Sequence, residues 1–475
     1  MHKRISKFFV LILILAIALP VQAASIRQVD DIVSFSVLHT NDFHGNLELA
    51  GSNPGAARVA AVINTIRTAK GAENVLLFDA GDIMQGSLLS NLQYGLPTID
   101  YYKTIGYDAA TFGNHEFDWG QTVLADRVTQ AADSTNPLKK AFPFMTANIT
   151  VKDGADCASS GWTLPSFISQ AYKVYNMGPA GSPVRVGVIG VSSVETPYIT
   201  IASATAGLCF KDPAESIQHY YAALDAASDV IVVLSHNGLE DGGYGYGITV
   251  YGDKTLADKL NTAGTPVNLI IGGHSHTNMS AAAMVGNTMI VQAYYAGRQV
   301  GQVDFTVNRT AGTVGMVWTK NAVSTSGTED PTIQALVAAY ASDPAYVALI
   351  NQPIFYTNVP LVRDYNGDNL MGKMVNDAVY NDLNNDATPD NDVEIVFNNP
   401  GGLRADIACA APPCLITYGQ TFSVLPFGNA TAVGSMTGAR IMELLKQSAT
   451  LFKGAIQVSG IRFTFYRYLT SGVTW

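Results

Sequence analysis

Positive charge is the first scarcity of this chain. Twenty-eight Lys and Arg stand against 38 Asp and Glu, for a formal net charge of −10. No segment gathers the cations into the basic stripe that displaces counterions from a phosphate backbone, which excludes a nucleic-acid polymer as the expected partner. A small phosphate ester stays open, because divalent cations in one pocket outweigh nearby carboxylates whatever the global charge. Beyond the amino terminus no run of eighteen apolar residues occurs, so no membrane span is expected. Cysteine is sparse at four residues and charged residues reach only 14%, yet 48% of the chain is hydrophobic. That composition excludes a disordered tail, and 475 residues suffice for two ordinary cores.

The amino terminus reads as an address. Lys3, Arg4 and Lys7 precede the apolar run Phe8 to Leu19, and Val21-Gln22-Ala23 is a small-residue cleavage pattern, so residues 1–24 are expected to be a signal peptide. No cysteine stands there to take a lipid, and the mature chain is expected to be periplasmic or secreted. The cysteines suit that compartment: pairing Cys157 with Cys209 and Cys409 with Cys414 is the simplest of the three connectivities, with free thiols as the alternative.

Histidine is rare but placed with order. Of eight histidines, five (His44, His115, His236, His274, His276) fall in short loops that also carry Asp, Asn or Gly. Ser34–Leu38, Asn74–Phe78, Ala109–Phe112, Val184–Ile189, Asp229–Leu234 and Asn268–Ile271 read as short buried strands, alternating with helical segments such as Ala57–Ala69. Asp42 and His44, Asp82, Asn114 and His115, His236, and His274 and His276 each follow one of these strands. An α/β architecture gathers ligand-binding loops at the carboxyl ends of its strands. Imidazole, carboxylate and Asn oxygen are together a ligand set for two divalent cations such as zinc or manganese, with one carboxylate able to bridge. Two cations so held support in-line hydrolysis of a phosphate ester. Asp118, three residues after His115, is placed to fix its tautomer, so the pair could stabilise phosphoryl charge or assist the leaving group. Asp42 and His44 can both face a metal only from an irregular loop, for which Gly45 supplies freedom. Glu116 reads as a supporting group, and His39 and His219 as structural.

After Val323 the pattern changes. Ser324–Glu329 is a polar joint, and Asp330-Pro331 starts a connecting helix with Ile333, Leu336, Val337 and Tyr340 on one face. A second domain is expected from Pro353, with helices near Leu370–Leu383 and Gly438–Ala449 and a buried strand at Val393–Phe397. Gly242–Gly247 lacks a following Lys and reads as a loop rather than a phosphate cradle.

The segments Leu38–Gly45, Asp79-Ala80-Gly81-Asp82, Gly113–Asp118, Leu234–Gly238 and Gly273–His276 resemble, in order, the signatures of the 5′-nucleotidase family within the calcineurin-like metallophosphatases. The resemblance implies an α/β four-layer αββα catalytic domain over residues 25–325, a linker helix over 326–352 and a smaller α+β substrate-binding domain over 353–475. It implies that Asp42, His44, Asp82 and His276 hold one metal and Asp82, Asn114, His236 and His274 the other, with His115 and Asp118 as catalytic dyad. His276 departs from the Gln or Asn usual in the closest nucleotidases. Asn399-Pro400-Gly401-Gly402-Leu403-Arg404 and Leu425-Pro426-Phe427-Gly428 resemble substrate-binding segments, which implies roles for Asn399, Arg404 and Phe427, with Arg363 a poorer match. The family's Gly-Gly-Asp loop and second base-stacking aromatic have no counterpart before Trp475, so the second domain reads as truncated. The implied activity is hydrolysis of nucleoside 5′-monophosphates, with nucleotide sugars or diphosphates as further substrates. The alternatives are a 2′,3′-cyclic phosphodiesterase/3′-nucleotidase, against which Asp118 leans, and a non-catalytic nucleotide-binding protein.

Overall fold

A computed structural model describes residues 31–242, 247–385, 392–451 and 454–466. Residues 1–24, where a signal peptide is expected, most of the Gly242–Gly247 loop and the last residues to Trp475 lie outside them.

The first part of the chain strings together β1 (Ile32–Thr40), β2 (Val75–Asp79), β3 (Ala109–Ala110), β4 (Ile149–Val151), β5 (Tyr172–Met177), β6 (Val184–Ser192), β7 (Leu208–Phe210), β8 (Val230–His236), β9 (Leu269–Gly272), β10 (Ala283–Val285), β11 (Thr288–Val291), β12 (Gln299–Asn308) and β13 (Thr313–Ala322). They form two main sheets, ordered β13-β12-β1-β2-β3 and β10-β11-β9-β8-β6-β5. In the first, β1, β2 and β3 run parallel; in the second, β6, β8, β9 and β11 do. Antiparallel strands flank both parallel sets.

Side chains alternate along each strand between two cores, which is why the sheets stack. Val37 of β1 and Val232 of β8 point into the layer between the sheets, while Leu38 and Val233 point to the helices outside. Helices Ala56–Lys70, Leu96–Ile105 and Gly120–Ala132 cover the first sheet, and Pro213–Ala227 and Asp253–Thr262 the second. The result is helix, sheet, sheet, helix. Strands β6 and β8 are buried on both faces, so their runs read as continuous Val, Ile and Leu rather than alternation. The third strand is shorter than its sequence suggests. After Ala110 the chain leaves the sheet, Thr111 N–H donating to Asp79 O, and turns into the Asn114 loop.

The connecting segment is two helices, Pro331–Ala341 and Pro344–Ile350, bent 77° apart, rather than one. Asp330 caps the first through Thr332 and Ile333 N–H. Asp343-Pro344 repeats the start signal, a capping carboxylate and a residue without N–H at the first helical position, so the helix restarts. Beyond it lie β14 (Pro353–Thr357), β15 (Val396–Asn398), β16 (Cys414–Thr417) and β17 (Gln457–Ser459), paired as β14-β16 and β15-β17, around a small core that includes Met371, Leu403 and Ile416. The strand expected at Val393–Phe397 sits later and is only half-buried, because its described neighbour is β17 alone. Thr437 caps helix Gly438–Ala449. Disulfides join Cys157 to Cys209 and Cys409 to Cys414. Among the described residues no single helix is long and apolar enough to cross a membrane.

Candidate active site

The carboxyl ends of the parallel strands of both sheets meet at one edge of the sandwich. Asp42 and His44 follow β1, Asp82 follows β2, and the Asn114–Asp118 turn follows β3; His236 ends β8, and His274 and His276 follow β9. Five of these residues hold left-handed backbone, with φ of 51° at Asp42 and His44, 57° at Asp82, 71° at His274 and 49° at His276. This conformation is uncommon for residues with a Cβ, and it turns alternate side chains of each loop the same way. Gly113 permits the closest approach: a Cβ there would fall 2.1 Å from Asp82 Oδ1.

Two groups could hold metal ions, Asp42/His44/His276 and Asp82/His236/His274, each with ligand atoms within 4.8 Å of one another. Asp82 Oδ2 lies 3.0 Å from His236 Nε2 and 4.0 Å from His44 Nε2, so it faces both groups. Asn114 joins the second through Oδ1, 2.9 Å from His274 Nδ1.

Hydrogen bonds outside the groups decide which ring nitrogens carry protons. His44 Nδ1 donates to Gln85 O at 2.9 Å, His236 Nδ1 to Ala80 O at 2.6 Å, and His274 Nε2 to Glu195 Oε1 at 2.5 Å. In the neutral ring the other nitrogen is free to bind a cation. His44 Nε2 lies 3.1 Å from His276 Nε2, His274 Nδ1 lies 2.9 Å from Asn114 Oδ1, and buried His236 Nε2 lies 3.0 Å from Asp82 Oδ2. Imidazole nitrogens and carboxylate oxygens that converge in a dry pocket need positive charge among them, from protons or from a metal ion, so the donor set fits divalent metal. Burial opposes charge on Asp82, but His236 and His115 outweigh it and hold the carboxyl well below its usual range. Burial opposes the charged form of His236 as well, yet Asp82 raises its pKa to about 10, so a proton and a divalent cation compete for its Nε2. Burial lowers the His44 pKa to about 3, leaving a neutral ligand.

Glu116 fastens two of the loops together. Its Oε2 accepts from Asp82 N at 2.9 Å and Gly113 N at 2.7 Å, and its Oε1 from Ile83 N at 2.7 Å. His115 stands beside the metal groups with Nδ1 2.7 Å from Asp118 Oδ2, and its backbone N–H donates to Asp82 Oδ1. Burial disfavours its charged form, yet Asp82 and Asp118 raise its pKa to about 9.

The second domain closes over this edge. Phe427 stacks on the His115 ring at 4.9 Å and 9°, the Arg404 guanidinium lies over Phe427 at 5.3 Å, and Pro426 O accepts from Gln85 and Asn91. Between the domains runs a cleft of about 810 Å³ lined by His44, Arg298, Arg363, Arg404 and Phe427 among others. Arg363 is engaged, its Nε 2.9 Å from Asp406 Oδ1 and its Nη1 3.1 Å from Leu403 O. Asn399 is exposed at the start of a 3-10 turn and lies outside the residues lining the cleft.

Three neighbours carry no sequence signal of their own. Glu195 orients His274; Thr200 Oγ1 reaches Asp118 Oδ1 at 3.4 Å; Tyr295 stacks on His276 at 4.7 Å. All follow parallel strands, β6 or β11, to whose ends sequence reasoning assigned nothing.

The family model of the calcineurin-like phosphoesterases matches residues 35–278, about half of the chain, and that of the 5′-nucleotidase C-terminal domain matches residues 347–472. The chain belongs to the calcineurin-like phosphoesterases. Among proteins similar to this phosphoesterase, a cell wall protein, Lmo0130, of Listeria monocytogenes is 29% identical over 95% of this chain and 61% of its own length. The trifunctional nucleotide phosphoesterase protein YfkN of Bacillus subtilis is 29% identical over 92% of this chain and 29% of its own. This phosphoesterase thus spans less than two thirds of either relative. A crystal structure of a 5′-nucleotidase precursor from Thermus thermophilus superposes with a TM-score of 0.68 at 28% identity, covering 90% of this chain and 81% of that one.

Proposed function

We propose that this phosphoesterase hydrolyses nucleoside 5′-monophosphates to nucleoside and phosphate outside the cytoplasm, with nucleotide sugars and diphosphates as further substrates. The observation that carries the reading is the pair of carboxylate and imidazole groups that Asp82 faces, beside a His115–Asp118 pair. Asp42, His44, Asp82 and His276 would hold one divalent cation, zinc or manganese, and Asp82, Asn114, His236 and His274 the other. Bound cations of this kind supply a nucleophile at neutral pH and neutralise phosphoryl charge. The chain's own residues do the rest. Asp118 holds the Nδ1 proton of His115, leaving Nε2 to meet a phosphoryl or leaving-group oxygen. Phe427 offers a π-face to a base, and Arg404 donors to a phosphate or ribose. Asn399 and Arg363 are weaker contacts on the same domain, residues 353–475. The two disulfides support an oxidising compartment.

The test is release of inorganic phosphate from AMP, UDP-glucose and 3′-AMP by the purified chain with manganese or zinc. AMP should be consumed in preference to 3′-AMP. Preference for 3′-AMP would overturn the substrate assignment; no phosphate from any of them, with two metals bound, would make this a binding protein.

A further inference from the structure

Arg298 and Arg404 are the cleft arginines that no carboxylate pairs with among the described residues, and of the two only Arg298 comes from the catalytic domain. It lines the same space as His44, Arg404 and Phe427. Among the described residues no carboxylate pairs with it, and its one side-chain hydrogen bond runs from Nε to Asn53 Oδ1 at 2.9 Å. Arg363, by contrast, is occupied by Asp406. The Glu48 carboxylate, also on the cleft wall, takes the Tyr346 hydroxyl instead.

The guanidinium is nevertheless held in place. Its carbon lies 4.3 Å from the Tyr295 ring centre and 5.4 Å from that of Tyr294, and Tyr295 in turn stacks on His276. Asn53, the anchor of Nε, is fixed by its own bond to Asn46 Oδ1 at 2.6 Å. The loop that carries these residues is tied to the Asp42 loop: Ala293 N–H donates to Asn41 Oδ1, Asn41 Nδ2 to Tyr294 O, and Ala296 N–H to Asp42 O. Those bonds hold Tyr294 at φ 65° and Ala296 at φ 53°, a conformation bulky residues rarely keep without such support. Such a loop sets the distance from Arg298 to the metal groups.

A planar guanidinium stacked on one face and tied at Nε presents its remaining N–H groups as a fork. Its complement is an anionic oxygen pair such as that of a phosphoryl group. The scissile phosphoryl belongs to the metal groups, one aromatic ring away. We propose that Arg298 is an anion subsite for a second phosphoryl group adjoining the scissile one, which adds affinity for nucleoside diphosphates and pyrophosphate-linked nucleotides that monophosphates cannot use. This rests on the nucleotide-hydrolase reading above and names the residue that admits its further substrates.

The experiment uses the metal-loaded chain and two non-hydrolysable probes, a methylene-bridged nucleoside diphosphate and a nucleoside 5′-phosphonate, with binding read by titration calorimetry. R298A should weaken the diphosphate probe, relative to the phosphonate, by about tenfold or more, the loss of a charge-assisted contact. R298K keeps stem and charge but loses the fork, so it should show the same selectivity in smaller measure, and it serves as the test should R298A lose bound metal. Equal weakening of both probes, or of neither, overturns the subsite. Phosphate release from AMP by the unaltered chain is scored separately. Its failure sinks the hydrolase reading while leaving the selectivity measurement intact.

Discussion

Glu195 gives the sharpest test of how the second metal group is built. Its Oε1 accepts the Nε2 proton of His274 at 2.5 Å, and its side chain is only 4% exposed. Its other oxygen has no partner among the described residues, so the one side-chain hydrogen bond that Glu195→Ala removes is the charge-assisted bond to His274. A buried bond of that kind contributes about 1.5 to 3 kcal/mol. With roughly 1.4 kcal/mol per factor of ten, the affinity of the Asp82/Asn114/His236/His274 group should fall about 10- to 150-fold. The Asp42/His44/His276 group, whose His44 proton goes to Gln85 O, should change far less. Titrating zinc into metal-free protein by calorimetry separates two binding events in the parent and should show one of them weakened in the variant. Two unchanged events would mean that the ring is positioned by something else, and equal weakening of both would mean that the substitution damages the fold rather than the ligand.

His115→Ala should keep both metals and lose most turnover, whereas Asp82→Ala should lose metal and turnover together; equal metal loss by elemental analysis would refute that division of roles. Gly113→Ala places a methyl 2.1 Å from Asp82 Oδ1, so it should lower metal affinity and thermal stability together, and a variant with unchanged melting temperature and metal content would contradict the close packing. His39 is wholly buried with neither ring nitrogen bonded among the described residues, and burial lowers its pKa from 6.5 to about 3. The folded chain therefore needs it neutral: the stability it permits is complete above pH 6.5 and drains away as pH falls towards 3. From pH 7 to 5 the parent should lose about 2 kcal/mol more than His39→Leu in urea unfolding, and parallel losses would show that His39 is not neutral in the fold.

The candidate ligands were legible because each follows a strand that the sequence marks, by a run of Val, Ile and Leu in most cases and by Ala109–Phe112 before Asn114. Asp42, Asp82, Asn114, His236, His274 and His276 could be placed at strand ends before any contact was known. The need for an irregular loop at Asp42 and His44 was equally readable, and both carry left-handed backbone. Residue patterning alone did not separate the two sheets. Strands of both read as one buried type, and the antiparallel flanks such as β13, where exposed and half-buried positions alternate, carry Thr, Lys and Asn that look like surface anywhere. Only the family resemblance supplied four layers. Glu195, Thr200 and Tyr295 were missed because a lone Glu, Thr or Tyr has no spacing to betray it. Glu195 is the exception in part, because it stands just after β6, a strand that the sequence marks. The connecting segment reads as one helix from its apolar face alone; the second Asp-Pro start at Asp343 is the signal that divides it.

One consequence follows from the metal groups drawing their donors from both sheets. Asp42, His44, Asp82 and Asn114 ride on one sheet, His236, His274 and His276 on the other, and the packed layer between them, with Phe35 stacked on Phe305 and valines from β1, β6 and β8, spaces the two halves. Bound ions would act as rivets through that seam. The jaw width offered to a cation is thus set by apolar side chains that never touch it, and a methyl group gained or lost deep in the sandwich tunes the grip at its rim.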